Sequence, residues 1–169
     1  LITSYWDSLT PSDIERMYID AAKIPSKEAL GGRLIKLLDI PPESRAADPL
    51  IWEVDGKAVG LTNLNNIVRG EQASIHLHVF DFQNRGKGYG RRLFVMSVQK
   101  YLQRHQLKHV VCEPAVTNPH PNRMMQGLGI TIVQSYLTAT ASVICFEHEV
   151  NRYEIDQSLV DRITKTLPA

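Results

Sequence analysis

The sequence predicts one mixed α/β domain over residues 1–169, built on a central, mostly antiparallel sheet flanked by helices. Three observations carry that expectation. An alternating run, Ala73 to Phe80, passes through a glycine-rich segment into a helical pattern. Two strand-like runs, Leu50 to Val54 and Ala58 to Asn65, flank Asp55-Gly56, a dipeptide suited to the positive-φ turn of a hairpin. A further strand, Leu107 to Cys112, follows the helix and reads as the return of one parallel crossover.

Taken in order, Ile2 to Trp6 reads as a first strand. Thr10-Pro11-Ser12-Asp13 is a helix start: a capping threonine, proline at the first helical position and an acid in the first turn. Ile14, Met17, Tyr18 and Ala21 would form its apolar face. Ser26 opens a second helical pattern through Leu30, Leu34, Leu37 and Leu38, weakened or bent at Gly31-Gly32 and closed before Pro41-Pro42. After the hairpin, a turn near Arg69-Gly70 leads into the Ala73 strand, where Ile75, Leu77 and Val79 share one face and Ser74, His76, His78 and Phe80 the other. Leu93, Phe94, Val98, Tyr101 and Leu102 recur at helical spacing to about His105. Asn118 with Pro119 starts a short helix that stops at Gly129, with Gly127 unfavourable inside it. Ile130 to Tyr136 and Ser142 to Val150 read as a terminal strand pair around Thr138 to Thr140. Ile155, Leu159, Val160 and Ile163 define a last amphipathic helix, to pack on the domain or on a second subunit.

At 169 residues, 43% hydrophobic and 22% charged, the chain can bury one substantial core. Its net charge of +1 lacks the basic excess of nucleic-acid binding, and no apolar segment is long enough to span a membrane. Cys112 and Cys145 lie apart in apolar stretches and read as free thiols of a reducing, cytoplasmic setting. No signal peptide is visible, although the sequence starts at Leu1 rather than at methionine. No spacing of His, Cys, Asp or Glu supports a metal site.

The most informative segment is Arg85-Gly86-Lys87-Gly88-Tyr89-Gly90 with Arg91 behind it, at a strand-to-helix junction. Glycines let successive N–H groups converge on one point, and the helix N-terminus adds partial positive charge, so an anionic ligand is expected. The dinucleotide fingerprint fails because Arg91 stands where a third glycine is required. The nucleotide loop ending in Gly-Lys-Ser/Thr fails because Gly88 follows Lys87.

Arg85-x-x-Gly88-x-Gly90 resembles the acyl-coenzyme A pyrophosphate loop of the GNAT (GCN5-related N-acetyltransferase) superfamily, and an overlapping Gln83-x-x-Gly86-x-Gly88 also fits. Downstream, Asn118 with Leu128-Gly129-Ile130 is similar to the family's second motif, in the expected order. The resemblance extends to bacterial ribosomal-protein and small-molecule acetyltransferase branches. It implies a splayed strand pair, acetyl-CoA as co-substrate without metal, and direct acetyl transfer to an amine, either a small metabolite or a peptide N-terminus. It further implies a homodimer, and cofactor contacts from Arg85, Gly86, Lys87, Gly88, Tyr89, Gly90, Arg91, the Asn118 side chain, and a backbone N–H near Val79 or Phe80 that would meet the thioester carbonyl. A non-catalytic acyl-CoA-binding module is the alternative.

Amide formation from a thioester needs an amine freed of its proton. His76 and His78, on one strand face and titrating near neutrality, are the base candidates, and the sequence does not choose between them. The family's proton donor is a tyrosine where this chain has Met125, which cannot donate, so water, Tyr136 or the thiolate's own low basicity would serve. Asn63, Asn65, Asn66 and Glu53 could line a polar acceptor pocket. The acceptor itself is not legible.

Overall fold

In the computed structural model, residues 1–80, 88–138 and 144–166 are described. The chain runs α1 (Ile2–Asp7), α2 (Pro11–Arg16), α3 (Lys27–Leu38), β1 (Asp48–Val54), β2 (Lys57–Val68), β3 (Gln72–Val79), α4 (Tyr89–His105), β4 (His109–Cys112), α5 (Pro119–Gly127), β5 (Gln134–Leu137), β6 (Glu149–Asp156) and α6 (Gln157–Thr166). The strands form one sheet in the order β1-β2-β3-β4-β6-β5, in which only β3–β4 is parallel. This is the mixed, mostly antiparallel architecture that the sequence predicts.

Local chemistry explains most elements. Asp55 and Gly56 both take positive φ, turning β1 into β2. Thr10 and Asp13 close a reciprocal capping box on α2, and the Ser26 hydroxyl accepts from the Ala29 N–H to cap α3. Gly31 and Gly32 sit within a continuous α3. One face of the sheet carries the core, where Leu64, Ile75, Phe94, Val98, Val110, Met125, Tyr153 and Ile155 are almost fully buried.

Buried polar links tie α4 to the sheet. The Tyr101 hydroxyl donates to the Asp48 carbonyl at 2.7 Å, and the buried Asp48 carboxylate accepts from Arg104 at 2.6 Å. His105 Nδ1 faces the Arg69 guanidinium at 3.2 Å, which leaves Nε2 to donate to Asp48 at 3.0 Å.

Three expectations are corrected. Residues Ile2 to Asp7 form a helix rather than a strand, because the half-buried Tyr5 and Trp6 rings pack on His78 while α1 packs on α3. The second helix stops at Arg16 and Tyr18 lies in the left-handed region at φ 54°, so Met17 and Tyr18 fall outside it and Ala21 opens a separate 3₁₀ turn, Ala21–Lys23. The terminal strands are Gln134–Leu137 and Glu149–Asp156 rather than Ile130 to Tyr136 and Ser142 to Val150, the first two residues of the latter lying outside the described residues, and they pair as Leu137↔Glu149 to Gln134↔Arg152. Alternation at Asn151, Tyr153 and Ile155 puts those side chains in the interior, and Ile155 therefore belongs to β6. α6 buries Val160 and Ile163 in its own domain, so a second subunit would need another surface.

Candidate active site

The site begins where the parallel pair parts. β3 and β4 are joined at Gln72↔His109, Ala73↔Val110 and Ser74↔Val111, after which β3 runs on to Val79 while β4 ends at Cys112. The strands thus open into a wedge whose apex lies just beyond Ser74 and Val111. Same-face residues on its two lips are His76 and Glu113.

His76 keeps accessible surface, yet protein crowds it closely enough that desolvation lowers its pKa, opposed by the nearby Glu113 carboxylate. Both facts hold for a side chain on the floor of a recess. His78, two residues along, is covered: Tyr5 OH and Trp6 come from α1, with Tyr5 3.0 Å from Nδ1 and ring centroids at 5.2 and 5.5 Å. Desolvation, and then the neighbouring His76, push its pKa down to about 3. Both imidazoles are neutral at pH 7, which is the form that accepts a proton. Phe80 completes the aromatic cover, 5.5 Å from Tyr5.

Backbone geometry separates Val79 from Phe80. The Phe80 N–H donates to the Val59 carbonyl at 3.0 Å, and Gly60 pairs with Val79. Ladder alternation therefore turns the Val79 N–H away from β2, into the wedge.

At the far end of β3 lies the mouth of α4. Gly88 begins this 17-residue helix in the left-handed conformation at φ 83°, with open space where a Cβ would stand. It supplies no side-chain cap, and no acid occupies the first turn. Gly90 lies against α5, 3.7 Å from Met124 Sδ for a Cβ built on it. Tyr89 and Arg91 follow Gly88 in the first turn, and the Arg91 guanidinium covers Gly127, where any Cβ would collide with it. Gly127, unfavourable by propensity, thus lies under the end of a flexible, exposed side chain. Arg85, Gly86 and Lys87 fall outside the described residues.

Asn118 precedes α5, with Pro119 in the first turn, and Gly129 takes φ 71° after the helix. Its side chain makes no capping bond, contrary to expectation, and its Oδ1 is buried with no partner among the described residues. Asn122 carries the structural role instead. It donates to the Ala115 and Asn118 carbonyls and accepts from Asn151 and Tyr153.

Met125 is fully buried in the core, so the position of the family's tyrosine holds packing here. Tyr136 lies on the His76 side of the sheet and donates to Glu113, and burial, then that carboxylate, raise its pKa. Glu113, Arg152 and Tyr5 were not singled out from sequence. For Glu113 the signal was the alternation His109, Val111, Glu113, which continues the strand face beyond Cys112.

Asn63 pairs directly with His76 across β2–β3 and donates to Asn65 at 2.8 Å, placing both asparagines beside the recess. A second opening of about 540 Å³ lies between α2, the start of α5 and the segment before β6, lined by Glu15, Tyr18, Thr117, Pro119 and Phe146 among others.

A six-stranded sheet with one splayed parallel pair and a glycine-led helix behind it is the GNAT fold, and solved structures of N-acetyltransferases superimpose on this chain across most of its length. Spermidine N-acetyltransferase from Vibrio cholerae, in complex with CoA and spermine, matches at 17% identity and a TM-score of 0.73, over 94% of this chain and 89% of that one. The microcin C7 self-immunity acetyltransferase MccE, with acetyl-CoA and AMP, matches at 17% and 0.72, over 92% and 84%. An aminoglycoside acetyltransferase bound to coenzyme A and kanamycin matches at 13% and 0.70, over 95% and 90%. No family model and no curated protein matches the sequence.

Proposed function

We propose that this single domain is an acetyl-CoA-dependent N-acetyltransferase acting on a primary amine, by direct transfer in a ternary complex. One observation carries the reading: β3 and β4 part just before His76, while among the described residues the α4 start at Gly88 has no side-chain cap and the buried Asn118 Oδ1 has no partner. The donor set fits acetyl-CoA. The N-terminal amides of α4 suit a pyrophosphate, and Asn118 Oδ1 can accept from an amide N–H of the coenzyme's arm. When bound, acetyl-CoA supplies the activated acyl group.

The chain's own residues do the rest. His76, neutral at pH 7, takes the proton that the acceptor amine must lose. The Val79 N–H is placed to stabilise negative charge developing on the carbonyl oxygen. His78, held by Tyr5, shapes the floor rather than receiving the proton. Among the described residues no group of three or more His, Cys, Asp or Glu side chains could hold a metal. We place the protein in the cytoplasm, where the buried Cys112 thiol suits a reducing setting.

A second reading, an acyl-CoA-binding module without catalysis, is favoured by one observation, the burial of Met125 at the position of the family's acid. Calorimetric titration with acetyl-CoA and free CoA, followed by an amine panel, separates the two. Saturable binding that is lost in Gly88→Glu, with acetyl transfer to at least one amine, supports the enzyme. Binding without transfer supports the module, and no binding by folded protein removes both.

A further inference from the structure

On the His76 face of the sheet, three side chains converge on one guanidinium. Arg152 on β6 donates through Nη1 to Glu113 at 3.0 Å, through Nε to Glu154 at 2.8 Å, and through Nη2 to Gln72 on β3 at 3.1 Å. His109 Nε2 lies 3.0 Å from the same Gln72 oxygen, so it too is a donor there. Tyr136 on β5 donates to the Glu113 oxygen that Arg152 holds. Glu113 therefore has two fixed donors on one oxygen, and its place follows from the ladder: Gln72↔His109 and Ser74↔Val111 are same-face pairs, and the next would be His76 and Glu113.

We propose that Arg152 is a positioning residue for the proton-accepting step. Its planar fork fixes the Glu113 carboxylate at the apex of the wedge, where it offsets the charge that His76 gains on protonation. The inference rests on the acetyl-transfer reading. In the step itself, an N–H bond of the acceptor's ammonium breaks and one forms on the imidazole. No electrons are exchanged, and the imidazolium returns its proton to water as the site resets. The groups on the same sheet face as His76 are His78 on its own strand, Asn63 paired with it from β2, His109 on β4, Glu113 beyond β4, Tyr136 from β5, and Arg152 and Glu154 from β6, and the Glu113 carboxylate acts on the His76 charge. Glu113 continues the β4 face next to His76, and among the described residues Arg152 reaches Glu113, Glu154 and Gln72 together. A lysine would keep the charge but lose the fork.

The test is an NMR titration of the His76 ring in the full, ligand-free chain, comparing wild type with Glu113→Gln and Arg152→Lys. Glu113→Gln lowers the proton affinity of His76 about tenfold, one pH unit in the midpoint. Arg152→Lys lowers it in the same direction by about threefold or more, because the carboxylate is no longer held. Gln72→Leu removes one acceptor of the fork while sparing its charge and gives a smaller fall, which keeps the test open should Arg152→Lys not fold. A midpoint unchanged in Glu113→Gln means the carboxylate does not face His76, and the proposal falls. A wild-type midpoint in Arg152→Lys and in Gln72→Leu means Arg152 acts by charge alone, and the proposal falls equally. These titrations contain no acetyl-CoA, so their failure is distinct from failure of the acetyl-transfer reading, which calorimetry with CoA detects.

Discussion

The Tyr5 hydroxyl lies 3.0 Å from His78 Nδ1, so the first helix closes over a histidine that strand alternation alone would leave as open as His76. The two imidazoles share a strand face but differ in cover. That difference separates the proposed base from its neighbour. His76→Ala is expected to lower turnover by about 100-fold or more, within the usual range for a general base. Tyr5→Phe leaves His76 in place and lowers turnover far less. Rates of both variants with an accepted amine check this.

His78 also makes stability depend on pH. Its pKa is pushed down to about 3 in the folded chain, mainly by burial and then by His76, against 6.5 as the ordinary value. Below pH 6.5 the unfolded chain binds a proton that the folded chain refuses, so stability is full above that pH. It falls by at most about 1.4 kcal/mol per unit as pH drops toward 3. His76, lowered for the same reason, adds in the same direction. Urea midpoints between pH 4 and 8 should show the slope, and His78→Phe should flatten it.

Asn118 makes no capping bond, and its Oδ1 is buried without a partner among the described residues. Asn118→Ala should therefore leave the ligand-free protein as stable as wild type, or more stable by about 1 kcal/mol, because an unsatisfied acceptor is removed. The affinity for CoA should fall in the same variant. Paired chemical unfolding and calorimetry test both halves, and a large loss of stability would return Asn118 to a structural role.

Met125 fills the core at the position where the resemblance expects a proton-donating tyrosine. Met125→Ala should cost about 2–5 kcal/mol through the cavity it leaves. Met125→Tyr should destabilise by overpacking and by burying a hydroxyl, about 1–3 kcal/mol, without raising turnover. A gain in turnover would show that the tyrosine can reach the wedge.

Gly127 lies under the Arg91 guanidinium, and a Cβ there meets only the far end of a flexible, exposed side chain. Gly127→Ala gains about 0.8–1 kcal/mol of helix propensity, against a smaller cost for moving Arg91. A modest rise in thermal midpoint is expected. A fall would mean that the Arg91 cover holds α4 to α5 more firmly than an exposed arginine should.

Much of the scaffold was legible because its signals are local. The Asp55-Gly56 turn, the Thr10 and Ser26 caps, the stop at Gly129 and the period-2 face of Ser74, His76 and His78 each depend on a few adjacent residues. The first element was misread because Ile2 to Trp6 has strand-like composition, while what decides its form is packing on His78, more than seventy residues away. The bounds of the last strand were not legible because a stretch ending at Val150 and one running on to Asp156 could each supply a strand. Only the interior, which takes Tyr153 and Ile155, chooses between them.

By itself the sequence determined the Asp55-Gly56 hairpin, the crossover through α4 and the glycine-led start of that helix at Gly88, all set by local turn chemistry and hydrophobic period. The tertiary structure decided which histidine stays open, which amide of Val79 and Phe80 turns away from β2, and that Glu113, Tyr136 and Arg152 meet on the His76 face. Those relations join residues far apart in the chain. They exist only once the parallel strands have been paired and have begun to part, and no local pattern encodes where two strands separate.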